Sequence, residues 1–280
     1  METVAIVGAG LIGASFGLAL RKAGFQGELV GVSSPGAIEE AKAAGAISSS
    51  ATLEEAANAA DLIYLSQTVD RIMETLPKLA RCARPGALIT DAGSVKTTIV
   101  KTAAALPGIS FIGGHPLAGK EVRGAAAADP DLFRGRPYVL TPRQGMQSEY
   151  EAIFRTYLHR MGAHTVELTA DEHDRATAFT SHLPQLLSTT LASALEQQKN
   201  ENFGGVFGPG LLDMTRLAMS SPELWKAILA NNRENVLQAL DTFAGCLAQV
   251  RQALMNGSLE EQFLSGRTFS EKLRTPKRNE

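Results

Sequence analysis

Val4-Ala5-Ile6-Val7-Gly8-Ala9-Gly10-Leu11-Ile12-Gly13 opens the chain, an apolar run that passes through spaced glycines into a helix-forming stretch, Leu11 to Ala23. A G-x-G-x-x-G pattern alone is only a glycine-rich turn; it gains meaning from a strand before it and a helix after it. Each glycine then has its own task. Gly8 permits the tight strand-to-helix turn, Gly10 keeps a Cβ away from a pyrophosphate, and Gly13 lets the helix close on the strand. The helix N-terminus beginning at Leu11 and Ile12 faces the phosphates. The stretch predicts a dinucleotide-binding unit whose cofactor-binding residues are Gly8, Gly10, Leu11, Ile12 and Gly13.

The second strand, Glu28 to Val32, runs into Ser33-Ser34-Pro35-Gly36. An NAD site usually places Asp or Glu here to bind the ribose 2′-hydroxyl, and such a carboxylate would repel a 2′-phosphate. Ser33 and Ser34 can instead donate hydrogen bonds to that phosphate. NADP is therefore the preferred expectation, with NAD also possible. Against it, no Arg lies between Arg21 and Arg71 to act as the usual bidentate phosphate partner.

Working outward, short β-rich runs alternate with helical patterns as far as Leu168, which predicts a doubly wound parallel α/β sheet of the Rossmann type. Strands are expected near 3–7, 28–32, 46–49, 61–66, 87–91, 109–113, 137–141 and 163–168. Thr52-Leu53-Glu54-Glu55 has the form of a capping box, and Arg84-Pro85-Gly86 is a stop signal. From Asp171 onward apolar residues recur at helical spacing only, with Asp171 and Glu172 suited to a helix start. Residues 1–169 are thus expected to form the dinucleotide-binding domain and 170–280 an all-α domain. In the latter, Glu223 to Met255 could be one helix of roughly 50 Å. So apolar a helical domain needs covering, and a homodimer is the economical answer.

The 280 residues are 44% hydrophobic and 20% charged with a formal charge of −2, ordinary for a globular protein and without the basic excess of a nucleic-acid or anionic-membrane binder. The basic tail Lys272 to Arg278 is expected to be solvated. Cys82 and Cys246 match no disulfide or zinc spacing and are expected to be inert core thiols. No secretory pattern opens the chain and no apolar run reaches about eighteen residues, so a cytoplasmic location is expected.

Four segments could carry chemistry. Asp91-Ala92-Gly93-Ser94-Val95-Lys96 follows the fifth strand, at the carboxyl edge where open α/β sheets bind ligands. There Ser94 could cap a helix beginning at Val95, contact a substrate, or both. Gly113-Gly114-His115-Pro116-Leu117-Ala118-Gly119-Lys120-Glu121 follows the sixth strand, placing His115 in a loop at the same edge. Imidazole suits the removal of a hydroxyl proton near neutral pH. Glu121 could form a gate or be a plain surface residue. In the helical part, Thr180-Ser181-His182-Leu183-Pro184-Gln185 gathers polar groups around a proline expected to kink its helix. Gly208-Pro209-Gly210 leads to Arg216, either a partner of Asp213 or a bidentate clamp for a carboxylate. Trp225, the only tryptophan, is either core or pocket wall.

Taken in order, Gly8-x-Gly10-Leu11-Ile12-Gly13, Gly93-Ser94-Val95-Lys96, Gly114-His115-Pro116-Leu117-Ala118-Gly119, Ser181-His182-Leu183-Pro184 and Asp213-x-Thr215-Arg216 resemble the prephenate/arogenate dehydrogenase family of tyrosine biosynthesis. The resemblance runs over about residues 3 to 265. It implies that Ser94 and His115 are catalytic and meet the ring hydroxyl, and that Arg216 binds a substrate carboxylate. Ser181, His182, Gln185, Glu121 and Gly210 would complete the substrate site, and the helical domain would form the dimer. No appended chorismate mutase or ACT segment is expected. The implied reaction is an oxidative decarboxylation needing no metal: hydride leaves ring carbon 4 for the nicotinamide, His115 takes the hydroxyl proton, and loss of carbon dioxide restores aromaticity. One departure concerns the substrate: many prephenate-using members read Ser-His-Leu-Pro-His, whereas here the last position is Gln185, whose amide oxygen could accept from the ammonium of arogenate. The rival readings are a β-hydroxyacid dehydrogenase, which would want a Lys in the helix from Asp171 to Gln198 where none occurs, and a non-catalytic NADP-binding sensor.

Overall fold

The computed structural model describes residues 1–120, 122–142, 148–199 and 201–275. The first strand β1 (Thr3–Val7) turns at Gly8 into α1 (Leu11–Lys22), and β2 (Glu28–Val32), α2 (Pro35–Ala43), β3 (Ser49–Ser50), α3 (Leu53–Ala59), β4 (Leu62–Leu65), α4 (Val69–Cys82), β5 (Leu88–Asp91) and α5 (Thr97–Ala104) continue the alternation. Next come β6 (Ser110–Pro116), β7 (Pro137–Thr141), α6 (Glu149–Arg160) and β8 (His164–Glu167). All eight strands form one sheet in the order β3-β2-β1-β4-β5-β6-β7-β8. The order reverses between β1 and β4, whose carboxyl ends part to leave the crevice where such sheets bind ligands.

The sheet departs from its expected form at three places. β3 is two residues long and begins at Ser49, beyond most of the span 46–49, because the Ala46 N–H is spent on the Ala41 carbonyl in closing the end of α2. β7 runs antiparallel to β6, so the sheet is mixed. That partner also lengthens β6: residues 110–112 pair with β5, and 113–116 continue on β7 alone. His115 therefore lies within a strand opposite Val139, not in the loop expected after it.

Both faces of the sheet are covered, as a largely parallel sheet requires. On one, Phe16 of α1 stacks on Tyr64 of β4 with ring centroids 3.8 Å apart, and Phe154 of α6 meets Phe16 edge-on. On the other, Ile72, Leu76 and Leu79 of α4 and Ile99 of α5 pack on Ile63 and Ile89. The local signals act as expected at Thr52, which forms a complete capping box with Glu55.

Beyond β8 the chain is helical: α7 (Ala170–Thr177), a π-helical turn (Ala178–His182), α8 (Leu183–Gln197), α9 (Pro209–Thr215), a 3₁₀ turn (Arg216–Met219), α10 (Pro222–Asn231), α11 (Arg233–Met255) and α12 (Glu260–Arg274). Thr169 and Glu172 make a second capping box at the start of α7. The single long helix expected from Glu223 is broken at Asn232, whose backbone leaves helical geometry while its side chain is committed to the site described below. By compactness the chain falls into two units, Met1–Arg233 and Glu234–Glu280. The second exposes Leu247, Leu254, Met255, Phe263, Phe269 and Leu273. Cys246 is exposed, so it is not the core thiol expected, and Cys82 is half-buried at the edge of the α4–α5 core; both are free. No described helix is long and apolar enough to cross a membrane.

Candidate active site

The glycine turn has the geometry its sequence demands. Gly8 adopts φ +100°, closed to ordinary side chains, and a Cβ on Gly13 would lie 2.2 Å from the Gly8 carbonyl oxygen. A Cβ on Gly10 would meet nothing within 4 Å, so the space above it is open. Gly10 caps α1 without any side-chain hydrogen bond, leaving the first N–H groups at Leu11 and Ile12 available to an anion. These features fit a dinucleotide pyrophosphate. Ser66, which carries no sequence signal, steadies the turn by donating to the Gly8 carbonyl at 2.7 Å. Ser33 and Ser34 are exposed at the carboxyl end of β2, and Ser34 caps α2 without spending its hydroxyl. From this turn a cleft of about 190 Å³ extends past β4 and β5, walled by Ile12, Ser66, Gln67, Ser94, Leu224 and Ile228.

Ser94 does not cap a helix. Helix α5 starts only at Thr97, and the backbone N–H groups of Lys96 and Thr97 donate to the Asp174 carboxylate at 2.7 and 2.8 Å. A carboxylate at that N-terminus outcompetes a hydroxyl, because it also answers the helix dipole. Ser94 is left lining the cleft.

His115 is held from two sides. On the backbone side, Asp91 and Lys96 form a fully buried ion pair; Lys96 Nζ donates to the Gly114 carbonyl at 2.8 Å, and the Gly114 N–H donates to Asp91 Oδ1 at 3.1 Å. Burial pushes the Lys96 ammonium down in pKa, and the Asp91 carboxylate beside it opposes that. On the ring side, His115 Nδ1 lies 2.8 Å from His173 Nε2, and His173 Nδ1 lies 2.7 Å from Asp174 Oδ1. Burial holds His115 well below its usual pKa, helped by the neighbouring His173, Lys96 and His182, so the ring is neutral near pH 7. Burial would raise Asp174, but hydrogen bonds from His173 and from the Lys96 and Thr97 amides outweigh it and keep the carboxylate ionised.

The helical segment supplies the remaining polar groups. Pro184 has no N–H for the carbonyl four residues back, and the helix absorbs this as a π turn, with Leu183 N–H reaching back to Ala178. That turn presents Ser181 half-buried and His182 buried. Asn232 Nδ2 donates to the Asp174 carbonyl at 2.7 Å and lies 3.2 Å from His182 Nδ1. Burial drives the His182 pKa down to about 4. Trp225 meets His182 edge-on at 5.8 Å and packs against the α4–α5 core, so it is both core and wall. Gln185, also buried, donates from its amide nitrogen to the Leu217 carbonyl at 2.8 Å, and the Ala218 N–H donates to Ser188 Oγ at 3.1 Å. These bonds pin the 3₁₀ turn that carries Arg216 onto α8. They also commit the Gln185 amide nitrogen and leave its oxygen as the acceptor.

Arg216 is exposed and lines a polar cleft with Lys120, Asp129, Asp131, Arg134 and Arg136. Gly210 is exposed in the first turn of α9. Glu121 lies outside the described residues, as does the end of the basic tail beyond residue 275. Asp91, Lys96, His173, Asp174 and Asn232 are the site residues that sequence reading missed. His173 and Asp174 read only as part of a capped first turn, and nothing in their spacing tells that they face a strand 58 residues away.

Comparison with known proteins agrees with this geometry. The model for the nucleotide-binding domain of prephenate dehydrogenase matches residues 16–167, and that for its dimerization domain matches residues 169–267. A prephenate dehydrogenase of Lactococcus lactis is 34% identical over 256 residues, covering 89% of this chain and 70% of the relative. The crystal structure of prephenate dehydrogenase from A. aeolicus with hydroxyphenyl propionate and NAD+ superposes with a TM-score of 0.89 at 28% identity, covering 98% of this chain and 99% of that one. Synechocystis arogenate dehydrogenase superposes at 0.81 with 32% identity, covering 97% and 99%. Two domain models in order, sequence identity across most of the chain and one shared fold make the assignment: the chain belongs to the prephenate dehydrogenase family.

Proposed function

We propose that the chain carries out the NAD(P)-dependent oxidative decarboxylation of prephenate, arogenate or both, in tyrosine biosynthesis. The observation that carries this reading is His115, a buried neutral imidazole on the overhang of β6, one residue from Gly114, which Asp91 and Lys96 fasten to the Gly93-Ser94 turn. A neutral ring can take a proton, and a dry site strengthens every charge interaction made during the reaction.

His115 accepts the proton of the hydroxyl on ring carbon 4, and Ser94, on the wall of the cleft, hydrogen-bonds the same oxygen. When bound at the Gly8–Gly13 turn, the nicotinamide dinucleotide supplies the acceptor for the hydride from that carbon. The electrons of the breaking bond to the ring carboxylate flow through the ring onto the oxygen at carbon 4, which takes its proton back from His115, and the ring becomes aromatic as carbon dioxide departs. The chain's task is then alignment and charge stabilisation. Arg216 clamps a carboxylate, with Ser181, His182, Gln185, Gly210 and Glu121 completing the substrate site, and the free oxygen of Gln185 favours a substrate side chain that brings a donor.

For the cofactor, the exposed hydroxyls of Ser33 and Ser34 and the missing carboxylate support a preference for NADP. We place the division between the dinucleotide-binding and helical domains at residues 169 and 170. A homodimer formed through the helical domain is supported by the dimerization-domain match and by the apolar side chains exposed on α11 and α12, and the cytoplasm is the location we assign to it. Steady-state kinetics with prephenate and arogenate, each with NAD and NADP, test the reading. Turnover in at least one of the four combinations is expected, and its absence in all four would refute it.

A further inference from the structure

The orientation of one proton on His115 decides whether it is a base at all, and the structure determines that orientation from a distance. Taking His115 as the base of the reaction, we propose that His173 and Asp174 are positioning residues that hold its ring as the Nδ1–H tautomer, so that the lone pair sits on Nε2.

The chain of inference starts at the N-terminus of α5. The Lys96 N–H and His173 Nδ1 both approach Asp174 Oδ1 at 2.7 Å, and the Thr97 N–H approaches Oδ2 at 2.8 Å. Two of these three groups are backbone amides and can only donate, which keeps the carboxylate an acceptor. An ionised carboxylate accepts only, so the proton of His173 must be on Nδ1. Burial keeps His173 neutral against the pull of Asp174, and its Nε2 is therefore a bare lone pair. His115 Nδ1 lies 2.8 Å from that lone pair and must carry the hydrogen. In a neutral His115 the remaining nitrogen, Nε2, is then unprotonated.

The surroundings supply no competing instruction. The other titratable or charged groups that face the pair are Lys96 ahead of α5, Asp91 at the end of β5 and His182 on the π turn. Lys96 is spent on Asp91 and the Gly114 carbonyl. His182 receives the Asn232 amide at its own Nδ1, because that amide nitrogen must face the Asp174 carbonyl, which can only accept. When His115 takes the hydroxyl proton on Nε2, it becomes an imidazolium still donating from Nδ1 to His173. The new charge is then shared toward Asp174 with no proton moved by the relay. The same logic of carboxylate, imidazole and reacting group governs serine hydrolases, where the wrong tautomer costs about 10⁴ in turnover.

Two substitutions at His173 leave the Asp174 bonds to α5 in place. His173→Leu removes the acceptor and should lower kcat by about 10²-fold or more, with KM little changed. His173→Gln can offer its amide oxygen to His115 Nδ1–H and should recover about tenfold of that loss. A packing role alone predicts no such recovery. Independently of activity, nitrogen-15 NMR of histidine-labelled protein reads the tautomer directly: His115 should show a protonated Nδ1 and a bare Nε2, shifting toward a mixture in His173→Leu. If His173→Leu does not fold, the wild-type spectrum still decides. A wild-type His115 protonated on Nε2, or a His173→Gln variant no better than a folded His173→Leu, would overturn the relay. The base assignment itself fails separately, if His115→Asn retains near-normal turnover.

Discussion

Acid should unfold this protein earlier than its carboxylates alone would dictate, and His182 contributes a share that can be worked out. Its folded-state pKa is about 4 against an ordinary 6.5, the consequence of burial between Asn232 and Trp225. A histidine with a depressed folded-state pKa binds its proton more readily when unfolded. Between pH 6.5 and 4 the unfolded state therefore holds more protons, and stability falls as pH falls. At about 1.4 kcal/mol per pH unit, acidification from 6.5 to 4.5 removes on the order of 2 to 3 kcal/mol through this one side chain. That is a large part of a usual total of about 5–15 kcal/mol, and lowers Tm by about 5–10 °C in a unit of this size. His115 and His173, also depressed chiefly by burial, add in the same direction. Asp174 acts in a lower window, since a carboxylate held below 3.8 is lost only under that pH. The assay is thermal or urea unfolding at fixed protein concentration across pH 7.5 to 4.5, for the parent and for His182→Asn. Asparagine can still accept from Asn232 but does not titrate, so the variant should show a visibly shallower decline whatever its stability at neutral pH. An unchanged slope would refute neutral burial of His182 as a source of acid sensitivity.

Removing one partner of the buried Asp91–Lys96 pair should be severe: Lys96→Met is expected to cost about 3–5 kcal/mol in urea unfolding by stranding a carboxylate, with the double variant Asp91→Asn/Lys96→Met costing less than the sum. A loss under about 1 kcal/mol would mean that the pair does not hold the strand ends. Ser33→Asp should move the ratio of specificity constants toward NAD by about tenfold, or roughly 1.4 kcal/mol, and an unaltered ratio would remove Ser33 from cofactor selection. Arg216→Ala should mainly raise KM, with Arg216→Lys recovering only part for want of the planar fork; unchanged kinetics with lost stability would make Arg216 structural.

Much of the molecule is legible without coordinates because its causes are local. The Gly8–Gly13 turn, the capping boxes at Thr52 and Thr169 and the apolar strands are each decided by a few neighbouring residues, and the structure places them where their chemistry requires. Errors cluster where a distant partner overrides a local preference. Ser94 looks like a helix cap, yet Asp174, 78 residues beyond Lys96, takes that office at the Lys96 amide, and the helix starts later. His115 looks like a loop residue after glycines, but β7 folds back antiparallel and draws it into the sheet.

What the sequence determined by itself is therefore the scaffold and the position of the groups proposed to react: a dinucleotide turn, a histidine and a serine at the carboxyl edge, an arginine beyond. Only the tertiary structure decided how those groups are held. Asp91 and Lys96 fasten the backbone before His115, His173 and Asp174 hold its ring, and Asn232 breaks a helix to reach both Asp174 and His182. Hydrogen-bond direction depends on which donor meets which acceptor across the fold. Nothing in the spacing of His173 along its helix records that it will meet His115.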